Sequence, residues 1–286
     1  MDRKTFLTFI SPSVAMMLLL MVFPLVTAIW LGFQFITFRN LDAPQWVGLA
    51  NYTEVLTDSA FWEALRFTLF YIVITVPSQI IIGFLVALLL DQVHRFRGFY
   101  IAASLLPFIV TPVVGTLIFR TMFDRAGLYT YLLNALFDYR LVMNTATVRA
   151  LIMLHGIWYT TPFAMITLFA GLQTLPQEPM EAATVDGANA LQKTWYVIIP
   201  HLRSLLVFIS LIGIMDAYRV FDSIFVITKQ NPLFKADSIM YYNFKMALSF
   251  GQIGKANAMA VITVIGVFVV LIPFLITTYR QQMEER

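Results

Sequence analysis

The 286-residue sequence has no cysteine, only three histidines and few charges. Without cysteine there is no disulfide framework, thiolate metal site or catalytic thiol, and the redox compartment goes unread. His94, His155 and His201 form no HxxxH or HExxH pair, which removes the usual histidine metal sites. Asp, Glu, Lys and Arg supply 12% of the residues, about half the roughly 25% of a soluble domain. Apolar residues supply 59%, and the mean hydropathy is +0.78. The net charge is +3, yet no basic run or Lys/Arg stripe points to nucleic acid. A mild excess of cations suits the flanks of membrane spans, beside anionic headgroups. The bilayer is the solvent this composition fits.

A spanning helix needs about 20 apolar residues, at about 1.5 Å each across a core of about 30 Å. Six segments meet that need: Phe6–Phe33, Phe67–Leu90, Gly98–Phe119, Arg149–Leu172, Ser204–Thr228 and Ala256–Tyr279. The first is longer than a signal-peptide core and lacks a prompt small-residue cleavage site, so it reads as a retained helix. Short alternating strands of a barrel are not in evidence. The expectation is an all-α integral membrane protein, one transmembrane domain over residues 1–286. Prolines recur inside the spans, among them Pro12, Pro77, Pro107, Pro112 and Pro162; in a bundle, neighbouring helices re-satisfy the carbonyls that proline frees.

An even number of spans places both termini on one side. The positive-inside rule does not say which, because the two sets of loops carry nearly equal numbers of Lys and Arg. Only the short turn Asp91–Arg97 has the dense basic character of an inner loop.

The most informative segment is the polar insert 173–203 between the fourth and fifth spans. It reads as two short helices broken at a glycine. Thr174 is placed to cap the first, with Pro176 in its first turn. Gly187 is placed to take the left-handed conformation that ends it, and Pro200 to start the fifth span. Its centre, Glu181-Ala182-Ala183-Thr184-Val185-Asp186-Gly187-Ala188, followed by Ile199-Pro200, matches the EAA motif of ABC-importer permeases. The form EAAxxDGA…LP is common in the carbohydrate-uptake branch. Trp46-Val47-Gly48-Leu49-Ala50-Asn51-Tyr52, Phe61-Trp62, Arg97-Gly98-Phe99, Leu105-Leu106-Pro107 and Phe169-Ala170-Gly171-Leu172-Gln173 also resemble that family. The outer-loop signature resembles the first permease subunits of maltose and glycerol-3-phosphate systems. The departures are Thr194 where an aromatic residue is usual, Pro179 before the motif, and Thr228-Lys229-Gln230-Asn231-Pro232 where relatives carry TGGGP.

This resemblance implies the type I ABC importer permease fold, with the insert as a cytoplasmic coupling helix pair seated in a groove of an ATPase subunit. Both termini then face the cytoplasm of a bacterium, from its inner membrane. Glu181, Ala182, Ala183, Asp186, Gly187, Ala188 and Pro200 become the coupling residues. The implied partners are a second, unlike permease subunit, two ATPase subunits that bind ATP and magnesium, and an extracytoplasmic solute-binding protein. The implied cargo is a carbohydrate, polyol or sugar derivative. The chain itself is expected to be no enzyme and to bind no cofactor, metal or nucleic acid. The nearest phosphate-loop decoy, Gly251-Gln252-Ile253-Gly254-Lys255-Ala256, lacks both the GxxxxGK[ST] spacing and the magnesium-binding hydroxyl.

Two groups inside the spans are candidates for the substrate pathway. Asp216, Arg219 and Asp222, at i, i+3 and i+6, would share one face of the fifth span. Intramembrane charges are costly and point to function, while their alternating signs equally suit an ion network that packs helices. His155, Trp158, Tyr159 and Thr160, with Thr161 beside them, offer aromatic faces and hydroxyls to a sugar ring. The same residues suit an interfacial aromatic belt and interhelical hydrogen bonds. Ser78 and Gln79 read as interhelical glue, and Arg120 as a cation reaching the headgroups. An ion-coupled secondary transporter or a channel subunit is the alternative, though no inverted repeat or filter motif supports it.

Overall fold

The computed structural model describes residues 3–284. Helix dominates, because a backbone in hydrocarbon must satisfy its own polar groups. In chain order the helices are α1 (Arg3–Met17), α2 (Phe23–Gly32), α3 (Ala50–Thr57), α4 (Ser59–Gln92), α5 (Arg97–Ile109), α6 (Pro112–Phe123), α7 (Leu128–Phe137), α8 (Thr145–Leu172), α9 (Gln177–Val185), α10 (Ala190–Lys193), α11 (Ile199–His201), α12 (Arg203–Tyr218), α13 (Asp222–Thr228), α14 (Ile239–Phe244) and α15 (Ile253–Glu284). One small hairpin pairs β1 (Gln34–Phe35) antiparallel with β2 (Gln45–Trp46). Contacts gather in two units, Met1–Ala64 with Ile239–Val270, and Leu65–Ser238 with Leu271–Arg286.

Among the described residues, three helices are long and apolar enough to cross a bilayer: Thr5–Gly32, Ser59–Gln92 and Thr145–Leu172, with mean hydropathies of 2.5, 2.5 and 1.3. These carry the first, second and fourth expected spans. The third and fifth fall on bent helix pairs, and the sixth falls within α15, whose described apolar stretch is Ile253–Val269. The extreme ends, residues 1–2 and 285–286, lie outside the described residues.

In the first unit, a π-helical turn at Leu18–Val22 joins α1 to α2 just ahead of Pro24. A π turn is a usual way for a helix to absorb a missing N–H. None of the apolar window of Thr5–Gly32 is buried within the chain, so this helix presents apolar surface all round. The hairpin is fastened by Asn51, buried on α3, whose amide donates to the carbonyls of Gly32 and Gln34, each at 2.9 Å. Trp46 stacks on Phe33 with ring centroids 5.4 Å apart. The phosphate-loop decoy is taken up in this packing. A Cβ at Gly254 would collide with the Gln34 carbonyl oxygen, and Lys255 pairs with Glu54 at 2.8 Å.

The second unit packs around α8. Ala87 and Leu90 of α4, Ala164, Met165, Leu168, Phe169 and Leu172 of α8, and Ile198, Leu202 and Ile209 form one buried cluster. Gly83 brings α4 close to α8, since a Cβ there would stand 2.9 Å from both Ala164 Cβ and Met165 N. This is the small-residue packing of helices in lipid, where shape rather than water drives association.

Two expected spans are not single helices. The third breaks at Val110–Thr111, where α5 and the α6–α7 segment meet at 97°. Pro112 takes the first turn of α6 while Thr111 is extended, at ψ 142°; proline disfavours helical geometry in the residue before it. Pro107 is carried inside α5. The fifth span is interrupted at Arg219, Val220 and Phe221, between α12 and α13, so Asp216, Arg219 and Asp222 do not share a face of one helix. At the other end of α12 the chain bends by 70° between Ala190–His201 and Arg203–Tyr218. Pro200 therefore lies in α11, ahead of that bend, and does not start the fifth-span helix.

Candidate functional site

The insert folds as two short helices around a glycine. At the end of α9 the Gly187 N–H donates to the Thr184 carbonyl at 3.1 Å and the Ala188 N–H to the Ala183 carbonyl at 2.9 Å. That is a Schellman cap, and it needs a left-handed residue; Gly187 has φ +77°. Thr174 does not cap α9. Its hydroxyl donates to the Gly171 carbonyl at 2.8 Å and so accepts from His201 Nε2 at 3.2 Å, fastening the two ends of the insert together. Pro176 holds the N-cap position instead.

The second half opens on a capping box. Asn189 Oδ1 accepts from the Gln192 N–H at 2.9 Å, and Gln192 Oε1 accepts from the Asn189 N–H at 2.8 Å. Lys193 Nζ donates to Thr184 Oγ1 at 2.8 Å and ties the halves. The insert's base is bound to the bundle where Gln173 Nε2 donates to Asp91 Oδ1 at 2.6 Å. Arg97 lies 3.6 Å from the same carboxylate and 4.4 Å above the Phe169 ring. Glu181, Ala182, Asp186 and Gly187 are exposed. So are four large apolar side chains, Val185, Leu191, Trp195 and Tyr196, with Val185 87% exposed. Nothing among the described residues covers these side chains. Ala183 and Ala188 are half-buried, and Pro200 is exposed.

A second feature lies inside the second unit: a cavity of about 560 Å³ between α4, α8, α12 and the break before α13. Its volume falls in the roughly 300–1,000 Å³ range of small-molecule sites. His155, Tyr159, Thr160, Asp216, Arg219 and Asp222 all line it, so the two sequence groups converge although one was expected on a continuous helix. The break achieves this by turning Arg219 and Asp222 toward one space. Trp158 does not line the cavity; its ring lies 6.0 Å from Phe119 and is partly exposed. Thr160 lines it with a hydroxyl already donated to the Gly156 carbonyl at 2.8 Å.

His155 packs against Phe119 and Trp158, with ring centroids 5.4 and 5.9 Å away, and two further contacts orient it. Thr116 Oγ1 donates to the Pro112 carbonyl at 2.7 Å, so at 3.2 Å it accepts from His155 Nε2–H. The Tyr159 ring stacks on the imidazole at 6.0 Å, with the planes within 12°. Arg219 Nη2 donates to Asp216 Oδ1 at 2.6 Å.

Sequence reading missed Tyr71 and Thr75 of α4 and took Gln79 for interhelical glue; all three line the cavity too. They recur at i, i+4 and i+8, one helical face, and Thr75 and Gln79 are buried polar residues in an otherwise apolar span. That polar stripe was the available signal. Arg120 donates to the Val226 carbonyl at 3.0 Å, bracing α6 against α13.

No protein-family model matches the chain. Curated relatives do. A probable ABC transporter permease of Sinorhizobium fredii is 31% identical over 283 residues, covering 97% of this chain and 91% of the relative. The trehalose/maltose transport system permease MalF of Thermococcus litoralis is 29% identical, covering 93% and 90%. Two solved structures share the fold. One is a bacterial ABC transporter involved in import of the acidic polysaccharide alginate, with TM-score 0.83, 18% identity and coverage of 96% and 95%. The other is a bacterial alginate ABC transporter in complex with an alginate pentasaccharide-bound periplasmic protein, with TM-score 0.79, 17% identity and coverage of 94% and 92%.

Proposed function

Because this chain belongs to the ABC transporter permeases, we propose that it is one of two unlike permease subunits of an importer for a mono- or oligosaccharide, a polyol or a sugar derivative. The names of its trehalose/maltose relative and of the alginate transporters that share its fold support a carbohydrate cargo. The periplasmic protein in one of those complexes supports delivery by an external binding protein. On this reading the chain crosses a bacterial inner membrane six times. The broken third and fifth segments and α15 supply the spans beyond the three long helices. Both termini face the cytoplasm, and ATP and magnesium are bound by two partner ATPase subunits.

The observation that carries the reading is the braced insert. Its exposed face of Glu181, Val185, Asp186, Leu191, Trp195 and Tyr196 is suited to a groove of apolar floor and polar rim. Ala182 allows close approach, and Gly187 fixes the angle between the halves. The bonds at Thr174–His201 and Gln173–Asp91 give the face a stiff connection to α4, α8 and α12, so displacement of the insert is carried into the spans as rigid-body motion. The 560 Å³ cavity is this chain's share of the substrate path. The test is a pull-down of the tagged chain in mild detergent, with Glu181→Ala and Gly187→Asp as comparisons. An ATPase should accompany the wild type and be lost or uncoupled in the variants. If none accompanies the wild type and neither change affects uptake, an ion-coupled transporter or channel subunit replaces the importer.

A further inference from the structure

The charges lining the cavity do not balance. Its carboxylates are Asp216 and Asp222, and Arg219 is the one Lys or Arg among its lining residues. Arg219 is committed to Asp216 at 2.6 Å. Asp222 makes no ion pair or side-chain hydrogen bond among the described residues. It is the first residue of α13. A second polar group also faces the space unpaired. Gln79, only 4% exposed, lines the cavity and has no hydrogen-bond partner among the described residues. It is wedged against Gly213, where a Cβ would overlap its Nε2. An amide held this way in a buried wall, without a protein partner, is costly unless water or a ligand completes it.

Resting on the reading of this cavity as substrate path, we infer that it passes saccharides without acidic groups, with Asp222 and Gln79 as its selecting residues. Asp222 accepts from paired hydroxyls or from a protonated amino substituent. Gln79 offers one donor and one acceptor to a second pair of ring hydroxyls. The wall of Phe108, Tyr159 and Phe163 covers the apolar face of the ring. A uronate would bring a carboxylate toward an uncompensated Asp222 with only a spoken-for arginine nearby, and like charges so placed reject a ligand.

The test is uptake by cells that express the assembled transporter. They are offered one mixed pool of neutral, amino-bearing and uronate disaccharides, and the imported species are counted by mass spectrometry. Wild type should import neutral or amino-bearing species and exclude uronates by at least about tenfold. Asp222→Asn should narrow that ratio, and Asp222→Lys should favour uronates over amino sugars. Gln79→Leu should lower import of every class without changing the charge preference. Import of uronates by wild type at the neutral rate, or an unchanged preference in Asp222→Lys, overturns the inference while leaving the importer reading intact. Import of no saccharide, with an ATPase still co-purifying, overturns the carbohydrate cargo and the inference with it.

Discussion

At the scale of single residues, stability and function make separable demands. Gly187 sits at φ +77° with open space where a Cβ would be, so its substitution strains the backbone without a clash. Gly187→Ala should cost the insert about 1 kcal/mol and weaken ATPase co-purification, while the thermal midpoint of the bundle barely moves. Gln79 is the opposite case. Replacing an unpaired buried amide with a leucine of similar size removes a desolvation cost. Gln79→Leu should leave the unfolding midpoint unchanged or raised while uptake falls; a lowered midpoint would mean the amide serves packing alone. Lys229 and Gln230, both left-handed at φ 51° and 60°, stand where the family carries glycines. Non-glycine residues there cost about 1 kcal/mol or more each, part of which glycine returns through its looser unfolded chain. Lys229→Gly should therefore give a small rise in thermal midpoint.

At the scale of elements, what could be read was what depends on local chemistry. The break at Gly187 was legible because a left-handed cap needs glycine, and the family spacing marked which one. The Asn189–Gln192 box carries an equally local signature just after the motif. The breaks at Val110–Thr111 and Arg219–Phe221 were not legible. A proline in a lipid-embedded helix kinks it or breaks it according to what neighbours can re-satisfy. Here α6 packs against α13, with Arg120 reaching the Val226 carbonyl, a contact between residues far apart in sequence, and the break at Arg219–Phe221 contains no proline at all. The candidate substrate residues other than Trp158 line one cavity, but Asp216, Arg219 and Asp222 do so across an interruption and not along one helical face. Asn189→Ala removes the side-chain half of the capping box and leaves the backbone N–H that Gln192 accepts from, a loss of about 1 kcal/mol. Backbone amides of 190–193 should then exchange hydrogen faster than in wild type, with α8 unaffected. Equal exchange in the two proteins would show that the Lys193–Thr184 bond alone holds the second half.

At the scale of the whole molecule, the open quantity is orientation, and the composition that hid it also supplies the means to measure it. Lys and Arg are distributed almost evenly over the loops, so the usual bias exerts no net pull on the reading. Cytoplasmic termini follow instead from the proposed role of the insert. An ATPase that consumes cytoplasmic ATP can grip only a cytoplasmic surface, and an even number of spans then carries both ends to that side. Because the chain has no cysteine, single cysteines report without background. Asp186→Cys places a thiol on the exposed turn of the insert, and Asn231→Cys places one on the exposed segment after α13. In intact spheroplasts a membrane-impermeant maleimide should label position 231 and spare position 186, and permeabilisation should expose position 186. A co-expressed ATPase should then slow that second labelling by covering the turn. Labelling of both positions from outside would mean an even number of crossings between them, at odds with the single fifth span that α12 and α13 are proposed to form. Labelling of position 186 alone would invert the protein and remove the insert from the reach of any cytoplasmic ATPase.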